Sequence, residues 1–139
     1  MHNIALGLNV GSVQLYCETD KHGSLRASTM KGRLPTEKTF VVTVPVEPLS
    51  KFINGKVDLL KIDVEGSEDK IIQELKTSGK INQVRTAIIE YHWSPERDSE
   101  YNVMKNMLLM NGFYLTALPG ECKDGYRDIL LFAERVRRP

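Results

Sequence analysis

The stretch from Val57 to Gly79 constrains the fold of this chain more than any other, because its hydrophobic period changes in mid-course. Val57, Leu59, Leu60 and Ile62 form a short apolar run that predicts a strand covered on both faces. Asp63 and Glu65 follow at its carboxyl end. Gly66 allows a backbone conformation that a Cβ penalises, and Ser67 can cap the first free amides of a helix. Glu68 and Asp69 place negative charge where the helix dipole favours it. Ile71, Ile72 and Leu75 then keep one apolar face towards a sheet, and Gly79 supplies the stop. The segment reads as strand, tight turn and helix, and ligands of α/β proteins bind in the crevice outside such strand ends.

The flanking sequence extends the pattern. Asn3 to Leu8 is apolar, and the turn at residues 9–12 leads into Val13, Leu15 and Cys17 in alternation, which predicts a strand and hairpin. Glu18 to Pro35 is polar and reads as a long loop, a length usually functional or mobile. Thr39 to Val46 has a β signature, with Pro45 and Pro48 bracketing its end, and Leu49 to Ile53 predicts a short helix before the Asn54-Gly55 turn. Thr86 to His92 is a second buried strand, again with polar groups, Glu90 and His92, followed by Trp93. A charged loop, Ser94 to Ser99, precedes a helix over Glu100 to Asn111, capped by Gly112, whose Met104, Met107 and Met110 read as core packing. Phe113 to Leu118 and Ile129 to Glu134 read as an antiparallel pair joined by the polar loop Pro119 to Asp128.

Composition narrows the function classes. With 139 residues, 41% hydrophobic and 27% charged, the chain is a single domain's worth of ordinary globular protein. Nineteen Lys and Arg against eighteen Asp and Glu leave a net charge of +1, which points to neither nucleic acid nor an anionic membrane as a partner. The basic end, Arg135, Arg137 and Arg138, reads as a solvated tail. No apolar run approaches the roughly 20 residues that span a bilayer, and no signal peptide is evident, so the expected location is cytoplasmic. Cys17 and Cys122 lack metal-binding spacing and read as plain buried or half-buried thiols, with a single disulfide as the alternative; no metal site is assigned.

The order strand, helix, strand, helix, antiparallel pair looks like the second half of a class I methyltransferase sheet. The residues narrow it further. Val57 to Glu68, read VDLLKIDVEGSE, resembles the signature of the FkbM family of S-adenosylmethionine-dependent methyltransferases. Asn3 to Leu6 followed by Gly11 to Tyr16 looks like that family's segment after its third strand, and Ile88 to His92 looks like its fifth. The resemblance implies an α/β fold with a Rossmann-like mixed sheet ending in an antiparallel pair, S-adenosylmethionine as cofactor, and an oxygen of a small molecule or sugar as methyl acceptor. It also implies an upstream glycine-rich turn for the cofactor's methionine end and an acidic residue for its ribose. Gly7 and Gly11 do not form such a turn. The chain therefore reads as the carboxyl portion of the domain, with one strand edge uncovered. Weak cofactor binding alone, and completion by a second copy or an upstream segment, are the corresponding expectations.

The candidate catalytic residues are Asp63, Glu65, Glu90 and His92. Asp63 and Glu65 can orient the substrate or the sulfonium end of the cofactor, or bind a divalent cation through oxygen. The bland alternative is a turn-capping Asp63 and a solvated Glu65. Glu90 and His92 are the general-base candidates, because methyl transfer to oxygen or nitrogen requires a proton to leave the acceptor; a merely packed His92 is the alternative. Lys61 is expected to pair with Asp58 or Glu90. Under the family resemblance the segment Asn3 to Leu6, through Asn3 and Ala5, touches the adenine, and Asp63 serves the cofactor as well; the loop Gly23 to Pro35 can cover the acceptor, and an ordinary edge strand and a disordered loop are the alternatives. Two other classes compete: a degenerate half-domain that only binds a partner, and, more distantly, a magnesium-dependent phosphatase with Asp63 as nucleophile.

Overall fold

The computed structural model describes residues 2–18, 27–31, 34, 39–123 and 125–135. Among them lie strands β1 (Ala5–Leu6), β2 (Gly11–Glu18), β3 (Ala27–Ser28), β4 (Thr39–Glu47), β5 (Val57–Ile62), β6 (Val84–Trp93), β7 (Phe113–Pro119) and β8 (Arg127–Arg135). Helices α1 (Glu68–Thr77) and α2 (Asp98–Met110) follow β5 and β6. The strands form two four-stranded sheets, ordered β1-β4-β2-β3 and β5-β6-β8-β7.

The second sheet follows the sequence pattern closely. A strand, helix and strand can return only by a crossover, and β5 and β6 are accordingly parallel. β8 inserts antiparallel between β6 and β7. Ala87, Ile89 and Tyr91 alternate along the core face of β6, and Ile71, Ile72 and Leu75 of α1, Met104 and Leu108 of α2 and Leu131 of β8 are all buried in the same cluster. Gly79, with φ of 73°, ends the α1 segment in the left-handed region that glycine adopts without a Cβ clash.

Several expectations are corrected. β5 is not covered on both faces: Leu59 is 57% exposed and Lys61 is also exposed, because β5 is an edge strand hydrogen-bonded to β6 alone among the described residues. β1 and β2 do not form a hairpin with each other. Instead β4 lies between them, antiparallel to β2 over Gly11 to Glu18 and parallel to β1. Within the expected long loop, Ala27–Ser28 pairs with β2 as β3, and much of the remainder, including most of Gly23 to Pro35, lies outside the described residues. The stretch after Ser94 is a 3-10 turn at Pro95–Arg97 running directly into α2.

Met110 is 83% exposed, so only Met104 and Met107 of the three methionines join the core. Cys17 is half-buried, Cys122 is exposed, and both are free thiols. Arg135 is not tail: its guanidinium donates to the carbonyls of Val84 at 2.9 Å, Ile81 at 2.8 Å and Asn111, and stacks 4.2 Å from the Phe113 ring centroid. Arg137 and Arg138 lie outside the described residues. No helix among the described residues is long and apolar enough to cross a membrane.

Candidate functional site

Two periodicities bring Asp63, Glu90 and His92 together. In the parallel β5–β6 pair, Lys61 faces Ile88 and Ile62 faces Ile89, so the next residue, Asp63, comes beside Glu90. Glu90 and His92 are two apart and share a face of β6. Ligand-capable atoms of the three residues all lie within 4.8 Å of one another. From the other neighbour, β8 sets Asp128 directly across from His92, with Oδ1 4.0 Å from Nε2.

The turn after β5 adds two more carboxylates. Glu65 and Gly66 both have positive φ, 55° and 118°, which folds the chain back sharply before α1. This turn is strapped by the β3 region: the Glu65 carbonyl accepts from the Thr29 amide at 3.0 Å, the Ser28 hydroxyl at 2.9 Å and the Thr29 hydroxyl at 3.1 Å. The Glu65 carboxylate reaches 3.4 Å from His92 Nε2. Ser67 stands at the helix start without a capping bond; instead the Glu68 carboxylate turns back to accept the Gly66 amide at 2.8 Å.

Glu68 is the buried anchor of the site. It has no exposed surface, and its Oε1 lies 2.7 Å from Nδ1 of His92, itself 1% exposed. Burial pushes the Glu68 carboxyl up, but the hydrogen bond and charge of His92 and the Gly66 amide outweigh it and hold it below the ordinary value. Glu68 is therefore ionised at neutral pH, so Nδ1 donates to it and Nε2 faces Glu65 and Asp128. Arg97 locks this arrangement from behind. It donates to the His92 carbonyl at 2.7 Å and to Asp69 at 2.6 Å, lies 3.5 Å from Glu68 Oε2, and stacks 4.7 Å from the Tyr91 ring centroid.

Lys61 pairs with neither of its expected partners as a hydrogen-bond donor. It donates to Asp63 at 2.8 Å, and Asp58 takes Arg85 at 3.3 Å. The hydrogen bond and charge of Asp63, with a smaller contribution from the charge of Glu90, hold the Lys61 proton more tightly than usual.

Beside this polar face, between the first sheet and the turn after β5, is a cavity of about 550 Å³. Asn3, Ala5 and Leu6 line it together with Val42, Val64 and Ser67. The sequence-predicted residues thus divide: Asn3 and Ala5 lie in the cavity, while Asp63, Glu65, Glu90 and His92 gather on the adjoining carboxylate–imidazole face. Sequence reasoning missed Glu68, Arg97 and Asp128. A signal for Glu68 was present, because it precedes Ile71, Ile72 and Leu75 by three, four and seven residues and so shares their buried face. Arg97 becomes visible only once the turn after β6 is seen to fold back on the start of α1, and Asp128 only once the β6–β8 register is known.

A family model described as the methyltransferase FkbM domain matches residues 1–127. Searches of curated proteins and of solved structures return no match. The match spans most of the 139 residues and includes the turn, the cavity lining and the β6 end, and the chain belongs to the FkbM methyltransferase family.

Proposed function

We propose that this chain forms the acceptor side of an S-adenosylmethionine-dependent methyltransferase site on a Rossmann-like sheet, and that the acceptor atom is an oxygen of a small molecule or sugar. The observation that carries this reading is the double role of the turn after β5. Its Val64 and Ser67 line the apolar cavity, while its Asp63 and Glu65 belong to the carboxylate–imidazole face. A cofactor cavity and a proton-accepting face thus adjoin across one short turn.

The cavity residues fit the base of the cofactor. About 550 Å³ lies within the roughly 300–1,000 Å³ of small-molecule sites, and an apolar lining with a few amide and hydroxyl groups suits a planar heteroaromatic ring. Asn3 and Ala5 would hold the adenine. Among the described residues the lining contains no carboxylate for the ribose hydroxyls, in keeping with weak binding by this chain alone. When bound, S-adenosylmethionine supplies an electrophilic methyl group.

The protein's own contribution is to orient the acceptor and take its proton. Ionised Glu68 fixes the His92 ring through Nδ1, which turns Nε2 to the acceptor as the nitrogen that exchanges its proton. Glu90 and Asp63 line the approach to that nitrogen and favour the positive charge that develops on it.

Binding and turnover test separate parts of this proposal. Calorimetry with S-adenosylmethionine should show weak binding that Ala5→Trp abolishes by filling the cavity. Transfer of labelled methyl to a hydroxyl acceptor should fall by about 100-fold or more in Glu90→Gln and His92→Asn. Cofactor affinity unchanged by Ala5→Trp would sink the assignment of the cavity.

A further inference from the structure

The carboxylate–imidazole face has the makings of a metal site as well as a base. Three observations converge on it. Asp63, Glu90 and His92 can each offer one ligand atom, and these atoms lie within 4.8 Å of one another. Donors on one ion with bonds of about 2.1 Å are separated by roughly 3 to 4 Å, so side-chain adjustments of up to about 2 Å close the shell.

The second observation comes from outside that trio. Metal-ligating histidines commonly donate their other ring N–H to a carboxylate, which fixes the tautomer and raises the basicity of the ligating nitrogen. Here Glu68, fully buried, holds Nδ1 of His92 at 2.7 Å, and Arg97 donates to the His92 carbonyl at 2.7 Å. With Nδ1 engaged, Nε2 is the ligating nitrogen. A buried carboxylate and a guanidinium stationed behind one imidazole are an elaborate support for a ring that only packs.

Access is the third. Glu65 Oε2 and Asp128 Oδ1 stand 3.4 and 4.0 Å from Nε2, so two further carboxylates flank the trio. The cation paired with Asp63 is Lys61, whose side chain is 61% exposed and reaches Asp63 from the solvent side. A long exposed lysine can swing away at little cost, which leaves Asp63 able to turn to an ion.

We propose that Asp63, Glu90 and Nε2 of His92 bind a divalent first-row transition ion, with Glu65 and Asp128 as flanking carboxylates and Glu68 as the residue that positions the imidazole. One nitrogen among several oxygens favours an ion such as Mn²⁺ over calcium, which takes oxygen ligands only. The purpose of the ion rests on the methyltransferase reading above: it would bind the acceptor hydroxyl and ease loss of its proton, which, with Nε2 held by the ion, would pass to a flanking carboxylate, Glu65 or Asp128, in place of the imidazole. Ion binding itself is independent of that reading and is measured with neither methyl donor nor acceptor present.

The test is titration of the purified full chain with Mn²⁺, followed by electron paramagnetic resonance. One ion per chain is expected, with a ¹⁴N coupling from the imidazole in the spin-echo spectrum. Asp63→Asn and Glu90→Gln should each weaken binding at least about 10-fold, the range found when metal-site residues are altered. Asp58→Asn, near the other end of β5 and paired with Arg85, should leave it unchanged. Circular dichroism confirms that each variant is folded. Absence of saturable Mn²⁺ binding, absence of the nitrogen coupling, or equal affinity in Asp63→Asn and Asp58→Asn would overturn the metal site while leaving the cofactor cavity untouched.

Discussion

Glu65 is the one non-glycine residue with positive φ among those described, and its neighbour Gly66 is positive too. Such a backbone persists only where surroundings hold it, and three hydrogen bonds from Ser28 and Thr29 to the Glu65 carbonyl do so. At Gly66 an added Cβ would meet the Met30 side chain at 2.5 Å and the Thr29 hydroxyl at 2.9 Å, at a φ of 118° that side chains avoid. Gly66→Ala should therefore destabilise the protein by roughly 1–3 kcal/mol in urea unfolding; an unchanged midpoint would mean that the turn relaxes freely. The glycine was legible in sequence as a backbone device, but the strain at Glu65 was not, because it depends on a strap from residues far away in the chain.

Glu68 supplies a pH signature at the same scale. Its folded pKa lies below the ordinary 4.5, so ionised Glu68 stabilises the fold at pH values above that figure. The contribution fades as pH falls from about 4.5 through the lower folded pKa. Glu68→Gln removes the titrating group while keeping an acceptor for the Gly66 amide. The variant should be less stable at neutral pH, and the stability difference from the parent should shrink as the solution is acidified through that window. Chemical denaturation at a series of pH values measures it, and a difference that does not change with pH would contradict the assignment.

Among the elements, those read correctly were the ones that local periodicity determines. Apolar spacing and the glycines at 66, 79 and 112 located β5, α1, β6 and α2, and the closing pair of strands followed from two apolar runs around a polar loop. Partner choice was less accessible. The alternation in β2 says that a strand forms, but only the eight-residue match with β4 explains why the short β1 cannot hold it. The site followed the same rule: Asp63, Glu90 and His92 could be singled out as strand-end residues, whereas Arg97 and Asp128 needed the tertiary register. Arg135 illustrates how far a tail assignment can err. It pins three carbonyls, at the ends of β6's approach and α2, with one side chain. Burial pushes its pKa down, and the guanidinium nevertheless remains a cation, as arginine does in proteins. Arg135→Met keeps much of the apolar stem but strands those carbonyls. A loss of about 2 kcal/mol is expected in thermal or urea unfolding, and a loss below about 0.5 kcal/mol, typical of surface substitutions, would return Arg135 to the solvated class.

For the whole molecule, the outer edge of β5 is the feature that matters most. β5 runs beside β6 through Val57 to Ile62, and no other strand pairs with it among the described residues. A parallel strand usually has neighbours on both sides, and an open edge with an exposed Leu59 is a template for another chain. We propose that this edge is completed by a second copy of the chain or by an upstream segment of the polypeptide, and that cofactor affinity rises when it is. The two cases separate experimentally. Sedimentation of the purified 139 residues should show concentration-dependent dimers if a second copy supplies the strand, and Leu59→Lys should return them to monomer by placing a charge on that edge. A species that stays monomeric, with β5 amides exchanging rapidly with deuterium, would instead point to the upstream segment, and supplying a strand-helix extension in cis should then slow that exchange and tighten S-adenosylmethionine binding together. Slow exchange along β5 in a strict monomer would mean that the edge is already protected, and the proposal would fail.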